Sequence, residues 1–109
     1  MLLLYKDKVL QKISTEYPKI DKNLIKIIVF GSIARDEYTP LSDIDLLLIT
    51  ADKQKTKELF SNFREKLFAE FSIPITAIYV TPDEFSSSIE PLYATIRKEG
   101  KTIWKRKKR

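Results

Sequence analysis

The chain has 109 residues, is 43% hydrophobic and 32% charged, and carries a formal net charge of +5. This size and balance predict one soluble globular domain with a single core. The sequence contains no histidine and no cysteine. Their absence excludes disulfides, thiolate chemistry, imidazole catalysis and zinc sites with imidazole or thiolate ligands. A metal site would therefore use oxygen ligands, which favours magnesium, manganese or calcium.

The N-terminal segment predicts a helix over residues 2–17, since apolar side chains recur at Leu3, Leu10, Ile13 and Tyr17. Pro18 is expected to limit that helix, because the residue before a proline avoids helical backbone angles. The opening MLLLYKDKVL lacks the apolar length and cleavage site of a signal peptide. No stretch reaches membrane-spanning length, so a cytoplasmic protein is expected.

The middle of the chain predicts two buried strands. The run IKIIVF at 25–30 indicates a strand that ends at Gly31, and DIDLLLIT at 43–50 indicates a second strand. Between them, a short helix is expected over 32–37 with Ser32 at or near its N-cap, followed by a loop.

The second half predicts more helices and two further strands. Asp52 is expected to cap a helix over 53–71, and Ile75–Val80 is expected to form the third strand. Thr81 and Glu84 form a capping box that opens the next helical region, and Gly100 should end it. Residues 101–105 indicate a short edge strand. The apolar faces of the two helical regions comprise Leu59, Phe60, Phe63, Leu67, Phe68 and Phe71, and Ile89, Leu92, Tyr93 and Ile96.

This order of elements predicts one sheet covered by helices, although periodicity alone does not fix the strand order. The positive charge is concentrated at the C-terminal end, where 105–109 reads KRKKR, and residues 1–104 carry 15 basic and 15 acidic side chains. We interpret 1–104 as the domain and 105–109 as a frayed, solvated tail. The neutral body does not indicate nucleic-acid binding there, whereas the tail could contribute weak, salt-sensitive contact.

Asp43 and Asp45 form the pattern with the clearest chemistry. Side chains alternate along a strand, so the two carboxylates project from one face, about 6.5–7 Å apart along the chain. Burial and mutual repulsion would raise their pKa, and a divalent cation reverses both effects. A magnesium ion is commonly held by one or two carboxylates together with substrate phosphates.

Gly31 and Ser32 supply a second half of the site, because a strand–glycine–serine–helix turn directs backbone N–H groups and a hydroxyl toward a phosphate. If strands 25–30 and 43–50 are neighbours, this turn faces the two aspartates. The combination indicates phosphoryl or nucleotidyl transfer with one or two Mg²⁺ ions.

Each residue of this pattern also has a structural interpretation. Ser32 could be only a helix cap, and Asp43 could form an Asx-turn before the strand. Arg35 could neutralise phosphate charge, or it could be a solvated residue paired with Asp36 or Glu37. The joint spacing favours a binding site for the aspartates, whereas the two interpretations of Arg35 remain open.

The stretch FGSIARDEYTPLSDIDLLLI resembles the signature of the DNA polymerase β-like nucleotidyltransferases, especially their stand-alone minimal members. Gly31-Ser32, ten intervening residues, and Asp43-Ile44-Asp45 match the family spacing, and Arg35 and Ser42 match commonly seen positions. The resemblance covers roughly residues 20–105. It implies an α/β (α+β) fold with a mixed sheet backed by helices.

The resemblance also implies a function. Asp43 and Asp45 would bind Mg²⁺ or Mn²⁺ and act in catalysis, and Gly31, Ser32, Arg35 and Ser42 would bind a nucleoside triphosphate. The reaction would transfer a nucleoside monophosphate, AMP if the donor is ATP, to a hydroxyl. Minimal members often pair with a small helical partner of the HEPN type, some as antitoxin and toxin.

One position departs from the family pattern. Active members usually carry a third carboxylate on the next strand, and the alignment places Thr76 there. A threonine hydroxyl is a poor base, so nucleotide binding could persist while transfer is weak or lost. The second interpretation is therefore a nucleotide-binding, antitoxin-like module that acts by complex formation.

Overall fold

The structure, a computed structural model, describes residues 2–31 and 43–107, with side chains of the first helix described from residue 7 onward. The short helix expected over 32–37, and the following loop, lie outside these residues. The described elements are α1 (Leu2–Ile20), β1 (Leu24–Phe30), β2 (Ile44–Thr50), α2 (Lys53–Phe71), β3 (Ile75–Val80), α3 (Pro82–Ser87), α4 (Pro91–Glu99) and β4 (Lys101–Lys105).

The four described strands form one mixed sheet in the order β3-β2-β1-β4. β1 is antiparallel to β2 and to β4, whereas β2 and β3 are parallel and are connected through α2. The predicted α+β class and mixed sheet are confirmed. The edge position predicted for residues 101–105 is also confirmed, and β3 forms the opposite edge.

Each face of the sheet buries an apolar cluster, and β2 contributes to both. Leu46 and Leu48 belong to the larger cluster, which α1 and α2 cover, whereas Leu47 and Ile49 belong to the smaller cluster with Phe85 of α3 and Ile96 of α4. A strand buried on both faces must be apolar at successive positions, which explains the uninterrupted Leu-rich run.

Helix α2 has the predicted bounds. The side chain of Asp52 accepts a hydrogen bond from the backbone N–H of Lys55, and Phe60 and Phe63 are buried. The prediction that Phe68 also faces the core is wrong, because 53% of this residue is exposed. The core-facing stripe is narrower than the run of apolar residues, and Phe68 lies outside it beside a surface groove at Pro74.

Helix α1 continues past Pro18, so the prediction that this proline ends the helix is wrong. The proline ring removes one backbone donor, but the next turn is held from both sides. The Tyr17 carbonyl accepts from the backbone N–H of Asp21 at 3.2 Å, and the Tyr17 hydroxyl donates to the Asp21 carboxylate at 2.7 Å.

The region after β3 contains two helices. Thr81 and Glu84 form the predicted capping box at the start of α3, and Gly100 follows the end of α4. Ile89 lies between the helices and is 95% exposed, so its predicted place on the apolar face is wrong. Pro91 starts a new helix, which shifts the apolar face away from Ile89.

The basic C-terminal sequence begins inside the fold. Lys105 is the last residue of β4, and the backbone N–H of Arg106 donates to the carbonyl of Ile25 at 2.9 Å. The Arg106 guanidinium also donates to the carbonyl of Leu24 at 2.7 Å and to that of Lys22 at 3.1 Å. These two residues are held rather than frayed, because β1 offers them free backbone acceptors. No described helix is long and apolar enough to cross a membrane.

Candidate functional site

Asp45 lies in the second position of β2, between the two neighbouring strands. Its Cα partner on antiparallel β1 is Phe30, and its partner on parallel β3 is Thr76. Three strands therefore bring residues from distant parts of the sequence into one row across the sheet. We call Phe30, Asp45 and Thr76 the Asp45 row.

Asp43 immediately precedes β2 and is exposed, whereas Asp45 is half-buried. Ile44 between them is fully buried in the larger cluster. Because side chains alternate along a strand, Asp45 projects from the face opposite Ile44. Asp43 lies just outside the strand, so its projection from the same face as Asp45 stays a prediction. The backbone N–H of Ile44 donates to the carbonyl of Pro74 at 3.1 Å, which fixes the start of β2 beside β3.

Gly31 approaches the side chain of Asp45 closely. A Cβ atom placed on Gly31 would lie 2.3 Å from Asp45 Oδ2, and the φ angle of Gly31 is +76°. Both the positive φ and the short approach require glycine. The glycine turn and the second aspartate are therefore adjacent, which is the arrangement expected if β1 and β2 are neighbours.

Thr76 is exposed in β3, beside Asp45. Ile78 and Val80, which alternate with Thr76 along the strand, belong to the smaller cluster together with Leu47. Thr76 and Asp45 consequently share one face of the sheet. The backbone preceding Thr76 is held by Arg64, whose guanidinium donates to the Ile75 carbonyl at 3.2 Å.

The described part of the chain contains no group of three acidic side chains that could enclose a metal ion. The carboxylates of Asp43 and Asp45, two residues apart, still fit Mg²⁺ or Mn²⁺, because such an ion takes its other ligands from waters and substrate phosphates. Ser32, Arg35 and Ser42, the other predicted nucleotide-binding residues, lie outside the described residues.

The sequence analysis did not predict the buried carboxylate of Asp21. This residue lies near the start of β1, at the end opposite Gly31. It is fully buried, and its Oδ2 accepts from the hydroxyls of Tyr17 and Thr56, each at 2.7 Å. The Asp21 Oδ1 accepts from the backbone N–H of Asn23 at 3.0 Å, and the hydroxyls of Thr50 and Thr56 lie 2.6 Å apart. The sequence signal was the four-residue spacing of Tyr17, in α1, and Asp21, which directly follows that helix.

The buried Asp21 network perturbs the ionisation of Tyr17. Burial raises the pKa of the Tyr17 phenol above its ordinary value, and the hydrogen bond to Asp21 raises it further. The phenol therefore stays protonated and donates to the carboxylate. Such a closed network suits a structural role, in contrast to the exposed Asp43.

Fold and site together define a class in which a glycine turn and a carboxylate pair meet at one end of a mixed sheet. The profile of the nucleotidyltransferase domain family matches residues 6–107. The chain belongs to this nucleotidyltransferase family, so the predicted family is confirmed.

Two curated relatives come from Methanocaldococcus jannaschii. "Putative protein adenylyltransferase MJ1305" is 33% identical over 92% of this chain and 69% of its own length, and "Putative protein adenylyltransferase MJ0604" is 32% identical over 72% and 77%.

Solved structures share the fold. A crystal structure described as a putative nucleotidyltransferase from Sulfolobus solfataricus has a TM-score of 0.64 at 21% identity, covering 96% of this chain and 87% of its own. A toxin–antitoxin structure with AMP-PNP has a TM-score of 0.59 at 21% identity, covering 93% and 73%. At these identities the two structures support the fold assignment alone.

Proposed function

We propose that this protein transfers AMP from ATP to an acceptor hydroxyl in a Mg²⁺- or Mn²⁺-dependent reaction. The observation that carries the proposal is the approach of the Gly31 turn to Asp45, in a chain of the nucleotidyltransferase family. The two curated relatives named as protein adenylyltransferases favour AMP as the transferred group and a protein as the acceptor.

In this proposal each residue of the site has a separate task. Asp43 and Asp45 would hold the ion that they share with the triphosphate, and Gly31 would let the phosphates approach the backbone. Ser32, Arg35 and Ser42 are proposed to contact the nucleotide, as the family spacing implies. A bound ion would supply charge neutralisation for the triphosphate and for the departing pyrophosphate.

The reaction requires a new bond from the acceptor oxygen to the α-phosphorus, and the bond from that phosphorus to the bridging oxygen of pyrophosphate breaks. The acceptor hydroxyl also loses its proton. Thr76, beside Asp45, can form a hydrogen bond with the acceptor but is too weak a base to take this proton. We therefore expect slow transfer unless the acceptor or a partner supplies the base.

Calorimetry with a non-transferable analogue, adenosine 5′-(α,β-methylene)triphosphate, tests the binding site. Asp45→Asn should weaken Mg²⁺-dependent binding by roughly 100-fold, because it removes a charged ligand. Asp83→Asn is the matched control, since Asp83 follows the opposite end of β3 and its loss should leave binding unchanged. Equal binding by all three proteins would refute the site.

A second experiment tests the transfer itself. The protein is incubated with ATP labelled at the α-phosphate and with a candidate acceptor protein, and the acceptor is examined for label. Incorporation that depends on Asp45 is the expected result. Label retained by the Asp45→Asn variant would show that the transfer does not use this site.

A second candidate function is a nucleotide-binding, antitoxin-like module that acts by forming a complex with a small helical partner of the HEPN type. The neutral Thr76 next to Asp45 favours it, and a toxin–antitoxin structure with AMP-PNP shares the fold. Here, neutralisation of the partner should survive combined Asp43→Ala and Asp45→Ala substitution. Loss of neutralisation in that variant, together with loss of label transfer, would favour the enzyme.

A further inference from the structure

Thr76 lies on β3 at the position from which that strand could supply a metal ligand beside Asp45. The two residues are paired in register on parallel strands, and adjacent strands lie about 4.7–4.9 Å apart. Both side chains project from the face that carries Leu47 and Val80. Ions in two-metal sites lie about 3.5–4 Å apart, so a carboxylate at position 76 would be suitably placed to hold a second ion.

The described side chains provide charge for one ion and not for two. In the Asp45 row of the described residues, Asp45 carries the one carboxylate, Asp43 precedes it by two residues, and the Thr76 hydroxyl on β3 is neutral. Two divalent cations at such a separation repel each other and need anionic ligands of their own. A neutral hydroxyl does not offset that repulsion, whereas one or two carboxylates plus substrate phosphates are sufficient for one Mg²⁺.

We propose that Thr76 limits the site to one divalent ion per bound nucleotide. Asp43 and Asp45 hold that ion together with the triphosphate, and among the described strand residues the second ion position next to β3 gains no carboxylate from Thr76. This inference rests on the proposed nucleotide site. It adds that the residue at position 76 sets the metal stoichiometry of that site.

The test measures bound Mn²⁺ in the presence of adenosine 5′-(α,β-methylene)triphosphate. Equilibrium dialysis gives the number of ions per protein-bound nucleotide, and electron paramagnetic resonance detects the spin coupling of two adjacent Mn²⁺ ions. Neither measurement depends on turnover. The wild-type protein should bind one ion per nucleotide and show an uncoupled spectrum.

Thr76→Asp should bind two ions per nucleotide and show a coupled spectrum. Thr76→Asn is the matched control, because asparagine has the shape of aspartate without its charge, and it should bind one ion. Thr102→Asp adds the same charge to an exposed residue of the opposite edge strand, and it should also bind one ion. Circular dichroism confirms that each variant is folded.

The outcomes separate this inference from the proposed function. Two coupled ions in the wild-type protein would overturn the inference while leaving nucleotide binding intact. A single ion in folded Thr76→Asp would overturn the assignment of position 76 as the second ion position. Absence of nucleotide binding in the wild-type protein would instead refute the proposed function, and with it the inference.

Discussion

Asp21 and Asp45 lie at opposite ends of the β1–β2 pair, and the chain surrounds these carboxylates in different ways. Asp21 is fully buried, and both of its oxygens accept from named donors. Asp45 is half-buried with its carboxylate against Gly31, two residues after exposed Asp43. The first arrangement stabilises the folded chain, because a buried carboxylate with satisfied hydrogen bonds joins α1 to α2. In the second, Asp43 is exposed and Asp45 is only half-buried.

The largest effect should come from removing the buried carboxylate. Asp21→Ala removes the buried acceptor shared by the hydroxyls of Tyr17 and Thr56 and the N–H of Asn23, which should lower the free energy of unfolding by about 3–5 kcal/mol. The Tyr17 hydroxyl would keep the Thr56 carbonyl at 3.3 Å, and the Thr56 hydroxyl would keep that of Thr50. Asp43→Ala is the matched substitution at the other end and should change it by less than about 0.5 kcal/mol. Urea denaturation measures both. If Asp21→Ala and Asp43→Ala lowered the free energy of unfolding by similar amounts, the proposed difference between the two ends of the β1–β2 pair would be refuted.

The two glycines give the next comparison. Gly31→Ala places a Cβ against Asp45 Oδ2 in a positive-φ backbone, whereas Gly100→Ala places one 2.6 Å from Ile28 Cγ2 and 2.7 Å from the Ile96 carbonyl oxygen. Each should cost about 1–3 kcal/mol of stability. Only Gly31→Ala should also weaken binding of the Mg²⁺–nucleotide analogue, by about tenfold or more, because it displaces a ligand.

Calorimetry below the melting temperature of each glycine variant separates the two effects. If Gly100→Ala weakens nucleotide binding as much as Gly31→Ala does, general destabilisation explains both results. The Gly31 turn would then have no particular relation to the site.

A smaller effect should appear at alkaline pH. Burial and Asp21 raise the pKa of Tyr17 in the folded protein, so the unfolded chain releases this proton first, near pH ~10. The contribution of Tyr17 is therefore complete below pH ~10 and declines by about 1.4 kcal/mol per pH unit above it. Tyr17→Phe should be less stable at neutral pH but should lose stability less steeply above pH ~10. Parallel pH profiles would contradict this prediction.

Local sequence signals predicted the elements well where few residues decide the outcome. The Asp52 cap and the Thr81–Glu84 capping box depend on side chains near in sequence, and both are confirmed. The predictions that Phe68 and Ile89 lie on buried apolar faces were wrong. Burial depends on how a helix lies on the sheet, and apolar periodicity does not specify that. The helix continues past Pro18 because Tyr17 and Asp21 hold the following turn.

The candidate site also has a part that local sequence predicts and a part that it does not. The spacing of Asp43 and Asp45 indicated their shared face, but only the strand order places Gly31 and Thr76 beside Asp45. Strand order depends on contacts between residues far apart in sequence, and periodicity carries no information about them. Asp21 was missed for the same reason, since one of its donors, the hydroxyl of Thr56, comes from α2 and is far from Asp21 in the sequence.

The smallest expected effect concerns Glu84, an exposed carboxylate with fixed partners. The backbone N–H of Thr81 and then the ammonium of Lys53, at 2.9 Å, lower the pKa of Glu84. Its contribution is therefore present above the unfolded-state pKa and is lost as the pH falls through the lower folded-state value. Glu84→Gln keeps an acceptor for Thr81 but removes the ion pair, so it should be slightly less stable than wild type at pH 7.

That difference should vanish at acidic pH, where the wild-type Glu84 is itself protonated and resembles glutamine. Thermal unfolding of both proteins across the acidic range measures it, with Glu58→Gln as a control on the exposed surface of α2. A difference that persists at the lowest pH would assign the effect of Glu84 to packing or capping rather than to its charge. In either case nucleotide binding should not change, because α3 follows the end of β3 that is distant from the Asp45 row.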